Sequence, residues 1–265
     1  MAVFSRSCQA TLARLQSLGT PAATVTLLRD APSGLECLLL RKSKNIRFGG
    51  LWVFPGGKVD AADHSSAGVL PTAADAAVRE THEECGAIIE QDNLLFVSHW
   101  LPPTSEVGKR GKGFSTFFFV APLPAGAADV SVDGSEIESF TWLRPSDALE
   151  RHASGRLGLL PPTWMTLDML KSAAQRSSDG SVDGVMAVLR QEPALAYETR
   201  SGDDGNGRTS YMWEGDAGWP TADPSVPGPR LRLTSTPTAG EEVGSLASGA
   251  ATLILDRTVS CQSRL

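Results

Sequence analysis

The order of elements along this chain predicts an α+β or α/β sandwich built on a mixed β-sheet. Three observations carry that expectation. Two apolar stretches joined by a turn open the chain. One strongly specified helix follows a Pro-Gly-Gly turn. Further strands then lead into two helical stretches. At 265 residues the chain can bury a full core; it is long for one domain and short for two.

Residues 1–20 form an N-terminal segment that reads as a short helix from Gln9 to Leu18 packing on the domain, or as a weak transit peptide. Ala23 to Leu28 and Glu36 to Arg41 read as strands, joined at Asp30-Ala31-Pro32-Ser33-Gly34. Leu51 to Phe54 is short and apolar, and Phe54-Pro55-Gly56-Gly57 supplies an anchor, a fixed turn and backbone open to close approach. The helix is expected from Ala73 to Cys85, with Thr72 as N-cap, Asp75 three residues on in a variant capping box, and Gly86 just past the end. His64 to Pro71 reads as a loop before it. Leu94 to Trp100, Ser115 to Ala121 and Val130 to Trp142 are β-like, with a polar loop from Pro102 to Gly113 and a turn at Asp133-Gly134. Pro145 to His152 and Thr163 to Arg176 look helical. From Ser177 the composition turns to Gly, Ser, Asp and Pro, with apolar islands at Val185 to Leu189, Leu231 to Leu233 and Thr252 to Leu255. The expected organisation is a domain over 21–176 and an extension over 177–265 that packs on it and ends in a flexible tail.

The chemistry concentrates in Arg79-Glu80-Thr81-His82-Glu83-Glu84-Cys85-Gly86. Glu80, Glu83 and Glu84 stand at i, i+3 and i+4, on one face of a helix. One arginine, Arg79, cannot neutralise all of them. Oxygen ligands on a rigid element suit magnesium, which keeps waters and substrate phosphates around it. The alternative is a solvated acidic face.

These residues resemble the box of the Nudix hydrolases. The match runs from Gly57 through Arg79, Glu80, Glu83, Glu84 and Gly86 to Ala87. The first acid is Asp63 where the family has Glu, and the fifteen residues between it and Arg79 exceed the usual spacing. Upstream, Leu38 to Ser43, Arg47, Gly50 and Phe54 to Gly57 are similar to the motif of coenzyme A diphosphatases. Val53 to Asp60, Phe117-Phe118-Phe119, Trp142 with Pro145, and Leu160-Pro161-Pro162-Thr163 look like the peroxisomal acyl-CoA diphosphatase branch. The resemblance implies the Nudix α/β/α fold and a magnesium-dependent (or manganese-dependent) hydrolase. Its products would be 3′,5′-ADP and 4′-phosphopantetheine or the acylated form. Another nucleotide diphosphate such as NADH or ADP-ribose, and a silent Nudix binding module, are the alternatives.

The resemblance also implies roles. Glu83 and Glu84 are the expected primary metal ligands. Glu80 is either a further ligand or the general base toward water. Arg79 orients Glu83. Gly56 and Gly57 bring backbone to the substrate, and Glu136 offers a later carboxylate. Arg41, Lys42, Lys44 and Arg47 are candidates for the 3′-phosphate of coenzyme A. Lys109, Arg110 and Lys112 are a second cationic group. Trp52, Trp100 and Phe114 could stack adenine, with sheet core as the simpler reading.

A net charge of −6 argues against attraction to nucleic acid or anionic membranes. Hydrophobic content of 41% with 20% charge reads as globular, and no apolar run reaches membrane-spanning length. Cys8, Cys37, Cys85 and Cys261 lack metal-ligand spacing and read as reduced thiols in an intracellular protein. Ser263-Arg264-Leu265 is a conservative variant of the peroxisomal Ser-Lys-Leu signal and would address an import receptor. The basic, serine-containing N-terminus leaves a mitochondrial or cytosolic location as the rival.

Overall fold

Strand β1 (Thr20–Ala31) is the hub of the fold. Its run Ala-Ala-Thr-Val-Thr-Leu-Leu is buried on both faces, as a central strand requires. The computed structural model describes residues 6–46, 48–103, 113–124, 130–132, 134–237 and 251–258. β1 pairs antiparallel with β2 (Gly34–Lys42) through a tight turn. β2 in turn carries β3 (Trp52–Val53) and pairs with β7 (Ile137–Leu143). β4 (Gly56–Lys58) pairs antiparallel with β1. On the other side β1 runs parallel to β6 (Phe114–Pro122), which pairs antiparallel with β5 (Leu95–Leu101). The sheet is mixed, as the element order predicted, and helices cover it.

Helix α1 (Arg6–Ser17) buries Leu12 and Leu15. Helix α2 (Val69–Cys85) lies on β1 through Ala73, Ala74, Ala76, Ala77 and Thr81, all buried. This small-residue face lets the helix backbone approach the sheet closely, and a larger residue there would overpack it by ~1–3 kcal/mol. Gly86 ends α2 in the left-handed conformation (φ 72°), its N–H donating to His82 O. Helices α3 (Pro145–Ala153), α4 (Pro161–Arg176) and α5 (Val182–Arg190) pack on the opposite face.

The start of α2 corrects one expectation. The N-cap is Gly68 and the helix already includes Val69, Leu70 and Pro71. Proline is tolerated there because the first-turn N–H groups have no intrahelical acceptor. Thr72 is buried within the first turn, and its hydroxyl accepts the Ser65 N–H at 3.0 Å. Asp75 accepts from Gln91 instead of closing a capping box. The stretch from Val130 is also shorter as a strand than expected, beginning at Ile137.

The apolar islands beyond Ser177 become α5, β11 (Leu231–Pro237) and β12 (Ala251–Arg257). β8 (Leu195–Glu198) joins the large sheet, parallel to β5. β9 (Arg200–Asp203), β10 (Thr209–Met212), β11 and β12 make a second, antiparallel sheet. Val185, Leu189, Trp213, Leu231, Leu233 and Leu253 share one core with Leu28, Val97 and Phe118 of the large sheet. His152 of α3 ties the segment after its own helix to the second sheet, donating from Nδ1 to Leu157 O and accepting the Leu253 N–H at Nε2 (2.8 and 2.7 Å). Among the described residues no helix is long and apolar enough to cross a membrane.

Candidate active site

The Pro-Gly-Gly turn is locked onto β1 before any side chain arrives. Pro55 O accepts the Val25 N–H (2.9 Å) and the Thr24 hydroxyl (2.6 Å). Gly56 has no room for a Cβ, which would strike Ala23 O on the β1 backbone, and a Cβ at Gly57 would push the Glu80 carboxylate aside. The turn therefore delivers bare backbone to the carboxylate face of α2, as Phe54-Pro55-Gly56-Gly57 suggested.

Glu84 is 7% exposed, and its Oε2 accepts the Gly56 N–H at 2.8 Å. Lys42 Nζ lies 3.8 Å from the other oxygen. Burial pushes the Glu84 carboxyl up to about 7; the Gly56 N–H and Lys42 oppose this, while Glu80 and Glu136 add to it. Glu80 is also raised, chiefly by burial, with Arg79 opposing. Glu83 is the most open of the three, its side chain 56% exposed.

Arg79 ties the face together. Nη1 donates to Glu80 (3.0 Å) and to Glu83 (2.9 Å). Nε and Nη2 make a fork onto Asp63 at 2.9 and 2.8 Å, and Nη2 also reaches Lys58 O. Asp63 ends a short 3-10 helix (Ala61–Asp63) and takes the Asp60 N–H at 2.7 Å. The Arg79 guanidinium holds the Asp63 carboxyl below its ordinary range, against the opposing effect of burial. The lengthened segment between Asp63 and α2 thus folds so that the displaced acid meets the arginine.

These groups stand at one end of a cleft of about 720 Å³. Glu136 lines the same end, as do Lys42, Gly56 and Gly57. Arg41 does not: it lies beside Glu138 at 3.8 Å and is outside the cleft lining. Of these two expected substrate-binding cations, the cleft lining includes Lys42 and leaves out Arg41. Lys44 is exposed and outside the lining. Arg47, Lys109, Arg110, Lys112, Asp133 and Ser263 to Leu265 lie outside the described residues.

Sequence reasoning passed over several lining residues. Lys58 and Asp60 follow the Gly-Gly turn directly and were within reach of that motif. Thr199 and Tyr211 come from beyond Ser177 and carry no local signal. Trp100 is both core and lining: 3% exposed, stacked on Tyr197 at 4.0 Å, yet reaching the cleft. Phe114 lines it as well, whereas Trp52 packs against the core.

No three His, Cys, Asp or Glu side chains close into a metal cage among the described residues. The donor set nonetheless fits a hard divalent cation. It consists of oxygens only, two of the carboxylates are held in a desolvated, like-charged environment that a cation would relieve, and the Gly-Gly backbone adjoins them.

The comparisons with known proteins agree with this geometry. The NUDIX domain matches residues 19–161, more than half of the chain. Acyl-coenzyme A diphosphatase NUDT19 of Xenopus laevis is 32% identical over 117 residues, 40% of this chain and 30% of that protein. The Gallus gallus protein of the same name is 31% identical over 93 residues, 33% of this chain and 25% of its own. The match thus spans less than a third of either relative. A NUDIX hydrolase from Alicyclobacillus acidocaldarius superposes with a TM-score of 0.52 at 22% identity, over 63% of this chain and 95% of that one. A turn of bare glycine backbone, a helix bearing Arg-Glu-x-x-Glu-Glu and the matched domain meet in one place, and the chain belongs to the Nudix hydrolases.

Proposed function

We propose that the chain is an acyl-CoA diphosphatase that cleaves the diphosphate of coenzyme A or an acyl-CoA to 3′,5′-ADP and (acyl-)4′-phosphopantetheine. The observation that carries this reading is the cleft itself. Its lining combines carboxylates and cations (Glu80, Glu83, Glu84, Lys42, Lys58, Arg79) with apolar and aromatic side chains (Phe54, Trp100, Leu101, Phe118), and a substrate with a polyanionic half and a neutral half suits both. The names of the two partly matching relatives support it.

Glu83 and Glu84 would hold magnesium or manganese, with Glu80 and Glu136 beside them. Such an ion, when bound, offsets diphosphate charge and makes bound water more acidic. Lys42 and Lys58 face the same end and attract the phosphate oxygens. Arg79, fixed by Asp63, keeps Glu80 and Glu83 from swinging into solvent. Glu80 accepts a proton from the water whose oxygen attacks phosphorus. The bridging P–O bond breaks, and the leaving oxygen departs with its electron pair. The C-terminal Ser263-Arg264-Leu265 would direct the enzyme to the peroxisome through an import receptor.

The test is hydrolysis of CoA, acetyl-CoA, dodecanoyl-CoA, dephospho-CoA, NADH and ADP-ribose by the purified chain, with and without magnesium or manganese, products identified by mass. Release of 3′,5′-ADP from CoA species, lost on chelation, supports the reading. Preferential turnover of NADH or ADP-ribose retains the Nudix chemistry and removes the coenzyme A assignment.

A further inference from the structure

Among the described residues two non-glycines have a left-handed backbone, Phe48 (φ 62°) and Ala222 (φ 57°). Ala222 closes a short 3-10 helix (Trp219–Thr221). Phe48 lines the cleft. A bulky side chain in that conformation crowds its own backbone, and such residues persist where the surroundings hold them. Glycine would take the same φ without strain, and Gly49 and Gly50 follow at once, yet phenylalanine stands at this position.

The chain on both sides of Phe48 is pinned beside the carboxylates. The Lys42 N–H donates to Leu51 O and the Gly50 N–H to Lys42 O (3.0 and 2.8 Å), while the Ser43 N–H donates to Glu136 O at 2.9 Å. Lys42 Nζ is 3.8 Å from Glu84, and Glu136 lines the cleft. The Leu51 N–H donates to Phe48 O and the Gly49 N–H to Ile46 O (3.2 and 3.0 Å). Gly49 is so close to Lys44 that a Cβ would stand 2.6 Å from its carbonyl oxygen. The backbone at Phe48 cannot relax without breaking these ties.

Other aromatic side chains of the lining have a structural reason to be there. Phe54, Trp100, Phe118 and Tyr211 are at most 6% exposed and belong to the core below. Phe114 is half-buried on the extended backbone of β6. Phe48 is also half-buried, but on a strained backbone that its neighbours hold in place.

The geometry points to Phe48 as a specificity-determining residue whose ring receives the adenine of the substrate. This deepens the proposed function and rests on it only for the presence of adenine, which coenzyme A, NADH and ADP-ribose share. Adenine is the one aromatic group common to all three. The pantetheine arm and the riboses have no aromatic face, so an aliphatic residue on a relaxed backbone would serve them as well. A purine has such a face, and stacking is what a benzyl side chain adds over an aliphatic one. The pinned backbone fixes where the ring stands before substrate arrives.

The experiment measures kcat and KM of the full-length chain on CoA with magnesium, and Kd for 3′,5′-ADP and 4′-phosphopantetheine by calorimetry. The proteins are wild type, Phe48→Leu, Phe48→Tyr and Phe48→Gly. Phe48→Leu should raise KM and the 3′,5′-ADP Kd roughly tenfold, leaving kcat and the 4′-phosphopantetheine Kd within about twofold. Phe48→Tyr keeps the ring and should stay near wild type. Phe48→Gly removes ring and strain together, so it should bind 3′,5′-ADP as poorly as Phe48→Leu yet melt no lower than that variant. It decides the matter if Phe48→Leu fails to fold. Equal weakening of both ligands, weakening of 4′-phosphopantetheine alone, or no change at all overturns the adenine assignment and leaves the proposed function standing. A wild type that cleaves NADH or ADP-ribose and no CoA species removes the coenzyme A reading. The same variants then bind AMP and ribose 5-phosphate, and a loss confined to AMP keeps the assignment while any other result overturns it. Turnover of no adenine-containing diphosphate overturns both.

Discussion

Two arginine–aspartate forks in this molecule look alike and serve different ends. Arg232 and Asp216, in and beside the second sheet, are closed on themselves: their side chains are 6% and 0% exposed. Asp216 accepts both fork N–H groups and the Gly218 and Leu231 N–H groups, and Arg232 Nη1 finishes on Pro224 O. Burial pushes the Asp216 carboxyl up, but Arg232 and the backbone N–H groups outweigh it and hold the group below its usual range. Arg79 and Asp63 share the fork but leave it open. Arg79 remains 25% exposed and spends another N–H on Glu80 and Glu83, carboxylates that face the cleft. A closed fork fixes chain to chain; an open one fixes the groups that meet substrate. Damage to the first should appear in stability, and damage to the second in turnover.

The largest effect is expected at the carboxylates that the open fork serves. Glu84→Gln and Glu80→Gln keep shape and remove charge, so each should lower kcat by about 10²–10⁴. Their melting temperatures should stay within about 4 °C of wild type, read by circular dichroism. Full activity in both variants would remove the α2 face from catalysis. Next comes the closed fork. Asp216→Ala leaves a buried, unpaired guanidinium, at a cost of about 3–5 kcal/mol in urea unfolding. A loss below about 1 kcal/mol would show that the pair is not a structural pin.

Acid sharpens the same division, because a buried histidine stores stability without touching the cleft. His99 is fully buried, its Nε2 beside the Ser115 hydroxyl at 2.8 Å, and burial pushes it down to about 3. A base depressed from about 6.5 is unprotonated in the folded state while the unfolded chain takes up a proton. Stability is therefore full above pH ~6.5 and falls as pH drops toward the folded-state value, by about 2 kcal/mol at pH 5. His152 is lowered as well, chiefly by burial, and adds loss of the same sign. Urea titrations at pH 7.5 and 5 check this, and His99→Leu should flatten part of the slope. An unchanged slope in that variant would assign the acid sensitivity elsewhere.

What could be read from the sequence was local. The carboxylate face, the small-residue face against β1 and the Gly86 stop all lie within eighteen residues of α2 and its cap, and periodicity exposes them. The start of α2 was misplaced because Thr72 looks like an N-cap, while Pro71 looks like a breaker and is harmless in a first turn. Arg41 and Lys42 could not be told apart because a register shift falls between them, so strand alternation does not say which side each takes. Tyr211 and Thr199 were invisible for another reason. They reach the cleft only because β8 pairs with β5, nearly a hundred residues earlier in the chain, and long-range pairing leaves no local pattern.

The smallest expected effect is the most discriminating. Asp63→Asn keeps the size of the side chain and an oxygen for the Asp60 N–H, and removes the charge that anchors the Arg79 fork. Arg79 would still be held by Glu80, Glu83 and Lys58 O. Turnover should therefore fall only about tenfold, with less than about 1.5 kcal/mol lost in unfolding, in keeping with a charge-assisted hydrogen bond weakened at a partly open site. The fall should lie in kcat, since Asp63 is outside the cleft lining while the groups it steadies through Arg79 are within it. Unchanged kcat with a stability loss like that of Asp216→Ala would make the two forks the same kind of device. Wild-type values for both would mean that the acid displaced along the chain from its usual spacing is dispensable, and that Glu80 and Glu83 alone keep Arg79 in place.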